Sequence, residues 1–133
     1  MDSEKGDVMF NHIMVGANDV LASKAFYDAA LGALGIEPGV LDAKGRCIFR
    51  TPTGTFMIKS PINGEPATHG NGSTIGFRAP STDAVDAWHA AGVANGGTTC
   101  EDPPGIRDAG DYQTYLAYLR DPSGNKLCAA HRV

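Results

Sequence analysis

Few side chains in this sequence are equipped for chemistry, and their spacing narrows the choice further. His12 shares one side of an alternating segment, Phe10-Asn11-His12-Ile13-Met14-Val15, with Phe10 and Met14. An imidazole among apolar neighbours needs a partner or an opening to water, and its near-neutral titration suits proton exchange. His12 is therefore the candidate base. Cys128 is a weaker candidate, a nucleophile only if an imidazole reaches it, since a buried and unactivated thiol is the commoner case. Tyr112, Tyr115 and Tyr118 lie close together, and alternation groups Tyr115 with Ala117 and Leu119 on a face expected to line a binding cleft. Arg107, in Pro103-Pro104-Gly105-Ile106-Arg107-Asp108, falls in a loop expected to fold over the cleft mouth and meet an anionic group; the plainer alternative is a solvated surface arginine.

These residues must be positioned by a duplicated unit. An offset of 62 superposes Ile13 on Ile75, Ala17 on Ala79, Ala25 on Ala87 and Phe26 on Trp88. An offset of 70 superposes Arg50-Thr51-Pro52-Thr53-Gly54 on Arg120-Asp121-Pro122-Ser123-Gly124. Each copy reads βαβββ. In the first, a strand over Val8–Val15 leads to a helix over Val20–Leu34, capped by Asn18 or Asp19, with Ala22, Ala25, Phe26, Ala29 and Ala33 on one face. Strands follow near Ile36–Leu41, Arg46–Arg50 and Thr55–Ser60. The second copy opens with Thr74–Ala79, caps its helix with Ser81, and ends in strands near Thr98–Cys100, Thr114–Arg120 and Lys126–His131. Module one spans about 8–60, the linker 61–72 and module two about 73–132, with the extra residues of the second copy in a loop near Glu101–Gln113. Phe26 and Trp88, at equivalent positions, are expected to anchor the core, and the repeated Arg50 and Arg120 to serve structure. His69 and His89 are expected to be exposed.

Composition bounds the rest. A chain of 133 residues, 42% hydrophobic and 20% charged, fits one globular domain, which its paired βαβββ modules place in the α+β class. The net charge is −4 and no basic run is present, which argues against nucleic acid and favours cationic or neutral ligands. No segment has the length and apolarity of a signal peptide or membrane span, so the expected location is the cytoplasm. Cys47, Cys100 and Cys128 are too few and too scattered for a disulfide framework.

With its Phe10–Val15 segment, the helix segment Ser23-Lys24-Ala25-Phe26-Tyr27-Asp28, and the closing Arg120-Asp121-Pro122-Ser123-Gly124-Asn125-Lys126-Leu127, the chain resembles the vicinal oxygen chelate superfamily. That group includes glyoxalase I, bleomycin-resistance proteins, fosfomycin-resistance enzymes and extradiol dioxygenases. The resemblance implies paired βαβββ modules forming an open, curved mixed sheet around a cleft, and commonly a homodimer. In metal-using members the ligands come from the first and last strands of each module. Carried onto this chain, those positions are His12, Ile58 (or, one residue on, Lys59), Thr74 and Cys128, a set without a carboxylate that leaves the metal site vacant. No cofactor is expected beyond a weakly held divalent ion. The resemblance implies a glyoxalase/bleomycin-resistance-like protein that holds a small organic molecule in a cleft lined by His12, Ile58, Thr74, Tyr115, Cys128 and Arg107. The alternatives are a lyase-, isomerase- or dioxygenase-type enzyme whose metal site is completed in some other way, and a drug-sequestering resistance protein.

Overall fold

A computed structural model describes residues 9–133; the expected strand start at Val8 lies outside them. Module one comprises β1 (His12–Gly16), α1 (Val20–Gly32), β2 (Val40–Leu41), β3 (Cys47–Thr51) and β4 (Gly54–Lys59). Module two comprises β5 (Ile75–Arg78), α2 (Thr82–Ala94), β6 (Thr98–Thr99), β7 (Gly105–Asp108), β8 (Gln113–Arg120) and β9 (Lys126–Arg132). The first sheet runs β1-β4-β3-β2, with β1 and β4 parallel and the rest antiparallel. The second runs β5-β9-β8-β6, with β7 also pairing β8. The architecture is α+β with two open mixed sheets.

Both helices begin where side-chain oxygens can satisfy orphan amides. Asp19 Oδ1 accepts from Ala22 N at 3.1 Å, and Ser81 Oγ accepts from Ala84 N at 3.1 Å. The buried face of α1 is Ser23, Phe26, Tyr27, Ala30 and Leu31, whereas Ala22 and Ala25 are exposed. This corrects the alanine face inferred from spacing. Alanine suits either side of a helix, so its period marked the repeat and not the core. Phe26 and Trp88 are both fully buried, and the helices pack on each other. Their closeness to the second sheet depends on Gly92, where a Cβ would lie 2.3 Å from Leu119 Cδ1 and 3.1 Å from Phe26 Cε1.

The core is continuous across the modules. Cys47, Phe49, Phe56 and Ile58 of sheet one and Ala117, Leu119, Leu127 and Ala129 of sheet two belong to one buried cluster with the helices. Phe56 meets Phe77 edge-on at 5.3 Å, joining the inner, helix-facing sides of the two sheets.

A polar clamp completes the junction. Asp121, 3% exposed, accepts from the Tyr27 hydroxyl at 2.5 Å and from Asn125 Nδ2 at 2.9 Å, and through its other oxygen from the backbone amides of Ser123 and Asn125. Asn125 Nδ2 also donates to the Gly16 carbonyl at 3.0 Å, and Asn18 N donates to Ser123 Oγ at 3.0 Å. Burial, reinforced by the Asp121 carboxylate, pushes the Tyr27 phenol well above its ordinary pKa.

Truncating Asp121 to Ala orphans several buried donors and should destabilise the fold by about 3 kcal/mol in urea unfolding. The Tyr27 shift also has a pH signature. Its stabilisation is complete below the unfolded tyrosine pKa of about 10 and is lost as pH rises through the higher folded value. Tyr27→Phe should therefore lower stability at pH 7 and lose less of it than the parent chain between pH 9 and 11.

Candidate functional site

Strand parity decides which candidates face a ligand. In sheet one, Ile13, Val15, Phe56 and Ile58 point toward the helices, so His12, Met14, Thr55, Met57 and Lys59 occupy the outer face. Cross-strand pairing continues that face as Met14, Met57, Ile48 and Val40 in one row and His12, Thr55 and Arg50 in the next. Gly16 and Lys59 stand opposite each other at its far end.

At that end lies an open groove of about 650 Å³. Its floor is Met14, Gly16, Lys59 and Arg46, and its wall is formed by Ser60–Asn63 and Pro66–Thr68. Asn18 holds that wall in place: its Oδ1 accepts from Ala67 N at 2.7 Å. Asp42 organises the opposite rim. It accepts from Lys44 N and Arg46 N through Oδ1 and forms an ion pair with the Arg46 guanidinium at 2.6 Å, which fixes the β2–β3 turn and the position of Arg46. Those bonds from Arg46, together with the Lys44 amide, hold the Asp42 carboxyl below its ordinary pKa. A second, more apolar cavity of about 360 Å³ lies between the modules, bordered by Ile13, Leu34, Phe49, Phe56, Phe77 and Arg78.

The predicted site residues do not gather in one place. His12 is exposed on the outer face of sheet one, and Asn11 Nδ2 lies 2.8 Å from its Nδ1. Ile58 is fully buried and points at the core; a side chain on the outer face at this end is Lys59. Thr74 is exposed immediately before β5. Tyr115 does share a face with Ala117 and Leu119, but that face packs on α2, and its hydroxyl donates to Asp86 Oδ1 at 2.7 Å. Arg107 lies within strand β7 and not in a lid loop: its guanidinium donates to the carbonyls of Gly105 and Asp102 at 3.1 and 2.9 Å. Neither the eight-residue excess nor its prolines revealed that this insertion folds into a hairpin with β8. His89, expected to be exposed, is half-buried, and burial lowers its pKa.

Cys128 occupies the outer face of sheet two, flanked across the strands by Gly76 and Tyr118. Burial raises its thiol pKa despite the opposing charge of Lys126. It belongs to a different sheet from His12, and neither cavity described above is lined by either residue. Among the described residues, no three His, Cys, Asp or Glu side chains come together as a metal site. One imidazole and a protonated thiol in separate sheets do not fit a divalent cation. The side chains that sequence reasoning missed are Lys44, Arg46 and Met14. Their signal was parity in β1, and the Asp42-to-Arg46 spacing that braces a turn.

The Glyoxalase/Bleomycin resistance protein/Dioxygenase superfamily model matches residues 9–129. A crystal structure of a glyoxalase/bleomycin resistance protein from Albidiferax ferrireducens T118 is 64% identical, with a TM-score of 0.90, covering 93% of this chain and 99% of that one. A glyoxalase/bleomycin resistance protein/dioxygenase family enzyme from Burkholderia phytofirmans PsJN shares the fold at 19% identity and a TM-score of 0.70, covering 92% of this chain and 98% of that one. Lactoylglutathione lyase from Agrobacterium tumefaciens does so at 21% and 0.63, covering 92% of both chains. A search of curated proteins finds no match.

The Cys128 environment predicts slow thiol chemistry. At pH 8 iodoacetamide should modify Cys128 at least about fivefold more slowly than free glutathione, because the thiolate is scarce. Peptide mass spectrometry of the time course measures this; parity with glutathione would mean an activated thiol.

Proposed function

The chain belongs to the Glyoxalase/Bleomycin resistance protein/Dioxygenase superfamily, and from that premise we propose that it binds a small organic molecule on the outer face of sheet one without a resident catalytic metal. The observation that carries this reading is the groove beneath the 60–68 segment. Its volume of about 650 Å³ suits a small organic ligand. Met14, Pro61, Ile62 and Pro66 offer apolar contact, and lysine and arginine side chains offer polar anchors. Among the described residues no cluster of His, Cys, Asp or Glu stands ready to hold a metal, and the rim carboxylate Asp42 is already engaged by Arg46, which favours binding that does not run through an ion. A lyase- or isomerase-type activity is the second reading. It is favoured by His12, whose imidazole is exposed two residues from Met14 on the same face.

The reading includes a homodimer. Among the described residues β1 and β5 end their sheets with unpaired edges, and Phe10, Val40 and Ile62 are 58%, 61% and 97% exposed. Light scattering at roughly tens of micromolar should give twice the monomer mass, the concentration following from the affinity of a stable interface.

Met14→Trp tests the groove, because the indole would fill it from an exposed position. Ligand-observed NMR with a panel of small aromatic compounds should show binding that this variant removes; binding indifferent to it would place the site elsewhere. Ni, Mn, Zn or Fe(II) at millimolar concentration should shift the melting temperature by less than about 2 °C, since stabilisation grows only with the logarithm of concentration over Kd. Metal that is retained stoichiometrically after chelation would overturn the metal-free part.

A further inference from the structure

The net charge of −4 conceals a segregated charge pattern. Every Lys and Arg within a described strand has outer-face parity: Arg50 and Lys59 in sheet one, and Arg78, Arg107, Arg120, Lys126 and Arg132 in sheet two. The one acidic residue in any described strand is Asp108, which pairs with Gln113 on the opposite parity. The other described carboxylates lie instead in helices, caps, turns and loops. The outer faces are therefore basic on an acidic protein.

In sheet two the cations are largely engaged. Lys126 pairs with Glu101 and sits over the Tyr118 ring, Arg107 and Arg120 donate to backbone carbonyls, and Arg132 stacks on Tyr112 at 3.8 Å. In sheet one the situation differs. Lys44 and Lys59 line the groove and, among the described residues, have no side-chain hydrogen bond and no carboxylate within ion-pair distance. Arg46 lines it too, and Asp42 neutralises that one charge while holding the guanidinium still. Two ammonium groups without a described carboxylate partner and a fixed guanidinium thus line the groove beside the apolar side chains of Met14, Pro61, Ile62 and Pro66.

We propose that the ligand of this groove is a small organic anion, a carboxylate or a phosphonate carried on an apolar body. The charged end sits among Lys44, Lys59 and Arg46, where ammonium and guanidinium donors make charge-assisted bonds. The body lies on Met14 and against Pro61, Ile62 and Pro66. This inference rests on the groove-binding reading above and adds the charge class of the ligand.

Four compounds of one shape separate the two claims: benzoate, phenylphosphonate, benzamide and benzamidine. Titrated into the full-length protein and followed by amide NMR shifts near Met14 and Lys59, at least one of the two anions should bind, and benzamidine should not. Which anion binds more tightly distinguishes a carboxylate from a phosphonate site. Lys44→Gln with Lys59→Gln should weaken the anion about tenfold and leave benzamide unchanged, and raising salt from about 50 to 500 mM should weaken the anion in the parent protein. Both lysines are solvent-accessible, and an unchanged melting temperature verifies that the double variant folds. Benzamidine binding as well as benzoate, or anion binding indifferent to the double substitution, would overturn the anion assignment and leave the groove reading intact. If no member of the set perturbs the groove, both readings fall.

Discussion

The arrangement of the two modules depends on one buried carboxylate. Asp121 is withdrawn from water, and leaving it uncompensated would cost several kcal/mol. It persists because four donors converge on it: the Tyr27 hydroxyl from α1, the Asn125 amide, and two backbone N–H groups of its own turn. Since Tyr27 belongs to module one and Asp121 to module two, satisfying this charge fixes one module on the other. Asn125 extends the tie to the last carbonyl of β1, and Ser123 extends it to Asn18. Asn18 in turn holds Ala67, a wall residue of the groove. A continuous chain of hydrogen bonds therefore links the closing turn of module two to the shape of the site on module one.

The duplication is consequently unequal. Where module two has Asp121-Pro122-Ser123-Gly124-Asn125, module one has Thr51-Pro52-Thr53-Gly54-Thr55. Thr51 closes its own turn by donating to the Gly54 carbonyl at 2.9 Å and has no charge to bury. The helix positions diverge in step, with Tyr27 of α1 standing where His89 stands in α2. One clamp is enough to orient two modules, and the counterpart positions are free to serve other ends. In sheet one that end is the outer face, where Lys44, Arg46, Lys59 and residues of the 60–68 segment surround an open groove.

How much of this was legible in the sequence follows from what each signal measures. The repeat offsets, the caps at Asp19 and Ser81, and the burial of Phe26 and Trp88 could be read because they depend on local rules or on paired positions. Parity in a strand was equally readable, but parity alone does not say which face is the core. Ile58 and Tyr115 were each assigned to the cleft on that ambiguity, and the helices decided otherwise: both point inward. The β7 hairpin escaped because Pro103, Pro104 and Gly105 read as loop, and strand pairing with β8 overrides that local preference. The role of Asp121 escaped for a different reason. Its turn was recognisable, but its partner Tyr27 lies 94 residues away, and no periodicity reaches across that distance.

Net charge is likewise a coarse guide to any one site, and the reason is geometric. A sum over 133 residues treats charges as if they shared one location, while a ligand responds to those within about a Debye length, roughly 10 Å at moderate ionic strength. Among the described residues the helices and loops carry nearly all the acids, and the outward side of the strands carries most of the bases, with Lys44 and Arg46 in the turn beside it. The sheets separate the two sets because each strand must turn its apolar side chains toward the helices and therefore its lysines and arginines away from them. Burial of the core thus sorts the charge as a by-product. What a ligand meets at the groove is set by Lys44, Lys59 and the Asp42–Arg46 pair, and the acidic residues of α2 and the 101–111 segment enter only through the screened field of the whole protein.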